Sequence, residues 1–118
     1  MKLDGSGNVV WAKAYGSSGP DFGYDVQITS DGGFVVVGYY TSAGDTNAII
    51  VKTNSDGDVQ WYRVLGGTQT DVFYSVVQTS DGGFIATGRT HSFGSGNADA
   101  FFSGVRLTVD HNGTTPPL

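Results

Sequence analysis

Residues 24–38, YDVQITSDGGFVVVG, return at 74–88 as YSVVQTSDGGFIATG. Tyr, Val, Thr, Ser, Asp, Gly, Gly, Phe and the closing Gly recur at an offset of fifty positions (74 − 24 = 50). The offset extends outward, pairing Lys2 with Lys52, Val9 with Val59, Trp11 with Trp61, Gly16 with Gly66 and Asp21 with Asp71. A fixed period in the range of roughly 20–50 residues is the mark of a repeat architecture, in which one unit cannot bury its apolar face alone and must stack on a neighbour. That constraint governs every other reading of this chain.

Within one repeat, Tyr24, Val26 and Ile28 alternate with Asp25, Gln27 and Thr29. Alternation with period two predicts a strand with one buried face. Asp31-Gly32-Gly33 predicts a tight hairpin, since such turns need positive φ and glycine adopts it without a Cβ clash. Phe34-Val35-Val36-Val37 predicts a strand covered on both faces. Gly38 is expected where a neighbouring backbone comes close. A polar loop is expected at 41–46, a third strand at 48–51, a turn at 54–57 and an aromatic fourth strand at 59–65. Asp81, Gly82, Gly83 and Phe84 repeat the hairpin of Asp31, Gly32, Gly33 and Phe34. Four short antiparallel strands per period, with no room for a helix, describe one blade of a β-propeller. The expected fold is therefore all-β, with about two four-stranded antiparallel blades per chain.

The 118 residues suit a single two-blade segment: repeat 1 at about 2–51, repeat 2 at about 52–109 and a Pro-containing tail at 110–118. Nineteen glycines and the absence of Glu agree with turns and strands rather than helices. A net charge of −5 and scattered Lys and Arg argue against binding a nucleic acid backbone. No Cys is present, so a disulfide framework and a thiolate metal site are both excluded. No run of about 20 apolar residues predicts membrane insertion.

The chain opens late in a repeat. KLDGSGNVVW aligns with KTNSDGDVQW, so residues 1–7 are expected to be the tail of a third strand with its turn, and 8–15 a fourth strand without the strands that should precede it. Residues 74–109 supply three strands of a further blade, but the expected fourth is replaced by Thr114-Thr115-Pro116-Pro117, and prolines cannot donate ladder hydrogen bonds. A spare strand at one end and a missing strand at the other predict ring closure by strand exchange. Since propellers have about 4–8 blades, either three or four copies assemble head to tail, or the chain is part of a longer propeller. Assembly is the preferred expectation.

The string Trp11-Ala12-Lys13-Ala14-Tyr15-Gly16, Asp21, Tyr24, Thr29-Ser30-Asp31-Gly32-Gly33-Phe34 and Gly38, repeated with Trp61, Gly66-Gly67, Asp71, Tyr74, Thr79-Ser80-Asp81-Gly82-Gly83-Phe84 and Gly88, resembles the roughly fifty-residue propeller repeats of bacterial and archaeal secreted and cell-surface proteins. The pattern of third strand, turn and Trp is also similar to the quinoprotein-type propeller repeat. The resemblance implies an extracytoplasmic propeller, extracellular or on the cell surface. It brings no catalytic residues, because its motif is structural.

Candidate chemistry is sparse. Asp4/Ser6/Asn8 and Asn54/Asp56/Asp58 place oxygens at the alternate spacing of calcium loops, but without the downstream bidentate Glu, so structural turns are preferred and no cofactor is expected. His91 and His111 have no metal-ligating spacing. Ser30-Asp31 and Ser80-Asp81 lack a repeated His. The Gly-rich stretches at 16–19 and 94–96 have no phosphate-loop context. Trp11 and Trp61 occupy one repeat position, which predicts packing between blades. Tyr39, Tyr40, Arg89 and Phe93 differ between repeats and form the candidate ligand surface, for a glycan or peptide. A non-catalytic scaffold or binding platform is the preferred class. The alternative is a fragment of a glycan-cleaving propeller enzyme, whose carboxylate pair would have to be Asp25 with Asp45 or Asp99.

Overall fold

The computed structural model describes residues 1–15, 21–42, 44–65, 70–90 and 99–105. These form three antiparallel sheets, and the chain is all-β. Strands β1 (Lys2–Leu3) and β2 (Val9–Trp11) make a two-stranded hairpin. Strands β3 (Phe22–Ile28), β4 (Phe34–Ser42), β5 (Asp45–Thr53) and β6 (Val59–Leu65) form a four-stranded sheet in sequence order. Strands β7 (Asp71–Gln78), β8 (Phe84–Thr90) and β9 (Asp99–Val105) form a three-stranded sheet. The described residues do not close a ring. Each sheet runs from a first strand to its last, so sheet boundaries fall at a different phase from repeat boundaries drawn at 51/52.

One turn design joins four of the strand pairs. In residues 29–33, Thr29 N–H donates to the Gly33 carbonyl, Gly32 N–H donates back to the Thr29 carbonyl, and Gly32 has φ 83°. The Thr29 hydroxyl and the Gly33 N–H both donate to Asp31 Oδ1, the latter at 3.0 Å. The turn at 79–83 repeats this, with Gly82 at φ 87°. At 4–8 and 54–58 the backbone bonds are the same, with Gly7 and Gly57 at φ 85° and 82°. Only glycine adopts this left-handed region at no steric cost, which is why the fourth position of each turn is glycine.

Gly38 and Gly88 have a different reason. Each faces a bulge in the first strand of its sheet, where Tyr24 and Tyr74 are the extra residues between paired neighbours. A Cβ on Gly38 would fall 1.8 Å from the Phe22 carbonyl oxygen, and one on Gly88 would fall 1.8 Å from that of Val72. The close backbone approach expected at this glycine is thus present in both repeats.

Two expectations need correction. The polar loop expected at 41–46 is mostly strand: Thr41 pairs with Thr46 and Ser42 with Asp45, and Gly44 has φ 86°, which favours a tight turn. The strand expected at 8–15 spans only Val9–Trp11, and it is not left without a partner in its own polypeptide. Instead β2 pairs with β1 (Lys2↔Trp11, Leu3↔Val9), and Trp11 meets the Phe34 ring edge-on at 5.8 Å. The tight Asp4-to-Asn8 turn makes this local pairing cheap in loop-closure entropy.

The core lies between the two larger sheets. Val35, Val37, Ala48, Ile50 and Trp61 of the four-stranded sheet pack with Phe73, Val76, Phe84 and Ala86 of the three-stranded one. Each fully buried Val, Ile or Phe contributes roughly 1.5–3 kcal/mol relative to exposure. Trp61 lies 5.7 Å from Phe84, repeating the Trp11–Phe34 contact one period later. Each Trp thus meets the Phe of the Asp-Gly-Gly-Phe hairpin in the next sheet along the chain. Among the described residues no helix is long and apolar enough to cross a membrane.

Candidate functional site

Two surfaces stand out. The first is a groove of about 680 Å³ between the β1–β2 hairpin and the exposed face of the four-stranded sheet, lined among others by Leu3, Trp11, Val26, Ile28, Phe34 and Val36. Its floor is strand β3, whose every second residue is apolar and nearly all of which is exposed. Comparison with β7 explains why. Val26 is 57% exposed while Val76, its counterpart fifty residues on, is 1% exposed. Phe22 and Val72 stand at 55% and 3%. The four-stranded sheet covers the face of β7; nothing in the described chain covers the same face of β3.

The hairpin forms one wall of the groove through specific contacts. Trp11 Nε1 donates to the Ser55 carbonyl at 3.1 Å, and Lys13 pairs with Asp58 at 3.1 Å. The Tyr15 hydroxyl donates to the Gly57 carbonyl. A Cβ on Gly57 would lie 2.8 Å from the Trp11 ring, so the indole seats against the glycine backbone. Loss of solvent around Tyr15 raises its hydroxyl pKa; Lys13 opposes this and Asp58 adds to it.

The second surface is aromatic. Phe22, Tyr24, Tyr39 and Tyr74 gather at the start of β3 and β7 and the end of β4: Tyr24–Tyr74 centroids are 4.9 Å apart, Phe22–Tyr39 5.3 Å, Tyr24–Tyr39 6.1 Å and Phe22–Tyr24 6.5 Å. Such edge-on and offset arrangements suit the ring quadrupoles. Reduced solvation within the cluster, then Tyr24, Asp21 and Tyr74, push the Tyr39 hydroxyl pKa up. Tyr24 and Tyr74 are 48% and 42% exposed, so this repeat position stays open even where its sheet is covered.

Of the predicted ligand residues, Tyr39 belongs to this cluster and Tyr40 follows it, half-buried and opposite Asn47 on β5. Arg89 occupies on β8 the register position that Tyr39 occupies on β4, paired to Val72 as Tyr39 is to Phe22, and is exposed. Phe93, His91, His111 and the Gly-rich stretches at 16–19 and 94–96 lie outside the described residues. Sequence reasoning missed Phe22, Tyr24 and Tyr74. Alternation puts Tyr24 on the buried face of a half-buried strand, whereas Tyr24 and Tyr74 are the extra residues of a bulge, which re-aims their side chains.

The acidic residues serve structure. Asp25 accepts from its own-strand Val26 N–H and, across to β7, from the Val76 N–H at 2.9 Å and the Ser75 hydroxyl at 3.3 Å. Asp25 lies opposite Val37, which lies opposite Ile50, five residues along β5 from Asp45. At about 3.3 Å per residue that is roughly 17 Å, beyond the roughly 5–9.5 Å spacing of glycosidase carboxylates. Asp99 pairs with Thr90 at the far end of β8. Asp4 Oδ1 accepts the Ser6 and Asn8 N–H groups at 2.9 Å, and these hydrogen bonds hold its carboxyl below the usual range. Asn54 Oδ1 accepts from Asp56 and Asp58 in the same way. In each triad the first side chain, Asp4 or Asn54, thus already receives two backbone donors on its Oδ1. Among the described residues no group of three or more His, Cys, Asp or Glu gathers as a metal site would require.

Lys52 is buried, at 3% exposure, directly after the apolar run Ala48-Ile49-Ile50-Val51 of β5. Its ammonium donates to Asp31 Oδ2 at 3.0 Å, the Thr53 carbonyl at 2.6 Å and Gln60 Oε1 at 2.8 Å. Three donors meet three acceptors, which is what lets an ammonium be buried. Asp31 is held at a pKa of about 2, first by the Thr29 hydroxyl, then by the Gly33 N–H and by Lys52, against a smaller opposing effect of burial. Neither a protein-family model nor a curated protein matches the chain.

Proposed function

We propose that the chain is a non-catalytic β-propeller repeat module, its two larger sheets being blades and its ring completed by three or four copies. The assembled ring serves as an extracytoplasmic scaffold or binding platform for a glycan or peptide. One observation carries this reading: the same repeat position is solvent-exposed in the first blade (Val26, 57%) and buried in the second (Val76, 1%). A chain of this composition leaves such a face apolar because another blade belongs against it. The extracytoplasmic location rests on the resemblance of the repeats.

Tyr24 and Tyr74 stay exposed in covered and uncovered blades alike, and the bulge places them together at the inner strands. In a closed ring this position recurs in every blade as a belt of tyrosines. Aromatic faces of this kind stack on sugar rings and on peptide side chains. The mass in solution tests the assembly: three or four copies support it and a monomer overturns it. Glycan and peptide arrays probed with the wild type and with Tyr24→Ala/Tyr74→Ala test the platform. Binding lost in the variant supports it; no binding on either array leaves a scaffold alone.

A further inference from the structure

Strand β2 stops at Trp11, whereas its repeat counterpart β6 continues to Leu65. In β6 the residues Tyr62, Arg63, Val64 and Leu65 pair with Val51, Ile50, Ile49 and Ala48. Their counterparts Ala12, Lys13, Ala14 and Tyr15 have no strand pairing among the described residues, because β1 supplies only Lys2 and Leu3. A backbone segment already aligned beside a sheet but short of ladder partners is a template for another strand. The groove beside it is the space that the inner strands of the same sheet would fill.

Resting on the proposed reading as a propeller module, we infer that the groove is the seat of the β7–β9 sheet of a second copy, and that β9 of that copy displaces β1 and pairs with β2. The internal repeat fixes the register. Phe34 opposes Thr53 and Phe84 opposes Val105, so Val105 stands for Thr53 and Gly104 for Lys52. Carrying the β5–β6 register across gives Val105↔Val9, Gly104↔Trp11, Ser103↔Ala12, Phe102↔Lys13, Phe101↔Ala14 and Ala100↔Tyr15. Gly104 and Val105 then take the places of Lys2 and Leu3, so the exchange breaks a pairing of two residues and forms one of six.

The faces match the interface already present within the chain. There, Val35, Val37, Ala48 and Ile50 pack with Phe73, Val76, Phe84 and Ala86. At the corresponding positions the incoming sheet carries Ile85, Thr87, Ala100 and Phe102, and the groove offers Gly23, Val26, Phe34 and Val36. The junction loses a phenyl side chain where Gly23 stands for Phe73, and the larger residues at three other positions (Phe102 for Ile50, Ile85 for Val35 and Val36 for Ala86) offset only part of that volume. Gly23 is not held glycine by crowding: a Cβ there would meet only Val36 Cγ1, at 3.6 Å.

The chain has no Cys, so engineered thiols report without background. Copies carrying Ala12→Cys are mixed with copies carrying Ser103→Cys, assembled, and exposed to mild oxidant. A disulfide-linked heterodimer on a non-reducing gel is expected, as is one from Ala14→Cys with Phe101→Cys; cross-strand partners sit within disulfide reach. Ala14→Cys with Ser103→Cys is out of register and is expected to link at least tenfold less. Assemblies of wild-type mass in which neither in-register pair links overturn this junction while leaving the propeller reading in place. A monomeric wild-type chain overturns both. Two cysteine pairs and the wild-type mass together keep the answer independent of any one variant that folds poorly.

Discussion

Val26 and Val76 hold the same place in two copies of one motif, on strands of the same register beside turns with the same hydrogen bonds, and yet one is in water and the other in the core. The difference lies outside both sheets. The four-stranded sheet covers one face of the three-stranded one, and among the described residues only the β1–β2 hairpin lies on the opposite face of the four-stranded sheet. Burial in a repeat protein is therefore a property of the neighbour rather than of the residue, which is the nearest-neighbour logic of stacked units. The two sheets also differ in how they are locked. Lys52 ties the Asp31 turn to Thr53 and Gln60, whereas the corresponding register position beside the Asp81 turn is Gly104. Contacts between the sheets are polar as well as apolar: Gln78 accepts from the Ser30 N–H at 2.7 Å and Asp25 from the Val76 N–H.

The largest effects are expected where the sheets are alike. Gly38→Ala and Gly88→Ala each drive a Cβ into a backbone carbonyl, and each is expected to cost roughly 3–5 kcal/mol or to abolish the cooperative transition. Urea denaturation checks this, and a large inequality between the two would break the equivalence of the bulges. Lys52→Met should cost about 2–3 kcal/mol, since it leaves Thr53 and Gln60 without their donor. The Asp31 carboxylate, partly in solvent, softens that loss.

Val76→Ala is expected to destabilise the chain by about 2 kcal/mol in the same denaturation experiment. Val26→Ala should change the dilute chain by less than about 0.5 kcal/mol while raising the concentration needed for assembly. Equal losses at the two positions would contradict the exposed face. The smallest effect concerns pH. The folded pKa of Asp31, about 2, lies below its ordinary value of 3.8, so its contribution is present above pH 3.8 and is lost as pH falls toward 2. Because the Asp31 side chain is 56% exposed, the contribution is expected to be under about 1 kcal/mol. Asp31→Asn should flatten the stability profile between pH 4 and 2, which melting temperatures across that range would read.

Much of the architecture was legible before any coordinates. The period of fifty, the turn glycines and the shared role of Trp11 and Trp61 all follow from local chemistry: positive φ at Gly32, close approach at Gly38, large rings at one repeat position. The extended β4–β5 hairpin was missed because Thr41, Ser42, Asp45 and Thr46 are polar, and polarity alone does not separate a paired end from a loop. The aromatic cluster was only partly seen, through Tyr39, because ring proximity joins β3, β4 and β7 across fifty residues of sequence.

What the amino-acid order determined by itself is the repeating unit: where each strand turns, which glycines cannot be replaced, and which residues alternate. Turns and alternation depend on neighbours within a few bonds, and those are written in the chain. The tertiary structure alone decided that Lys52 is buried with three acceptors, that β2 rests on β1, and that one copy of an apolar face is covered while the other lines a groove. These outcomes depend on which surface arrives from a distance, and an identical motif carries no mark of whether its neighbour is present.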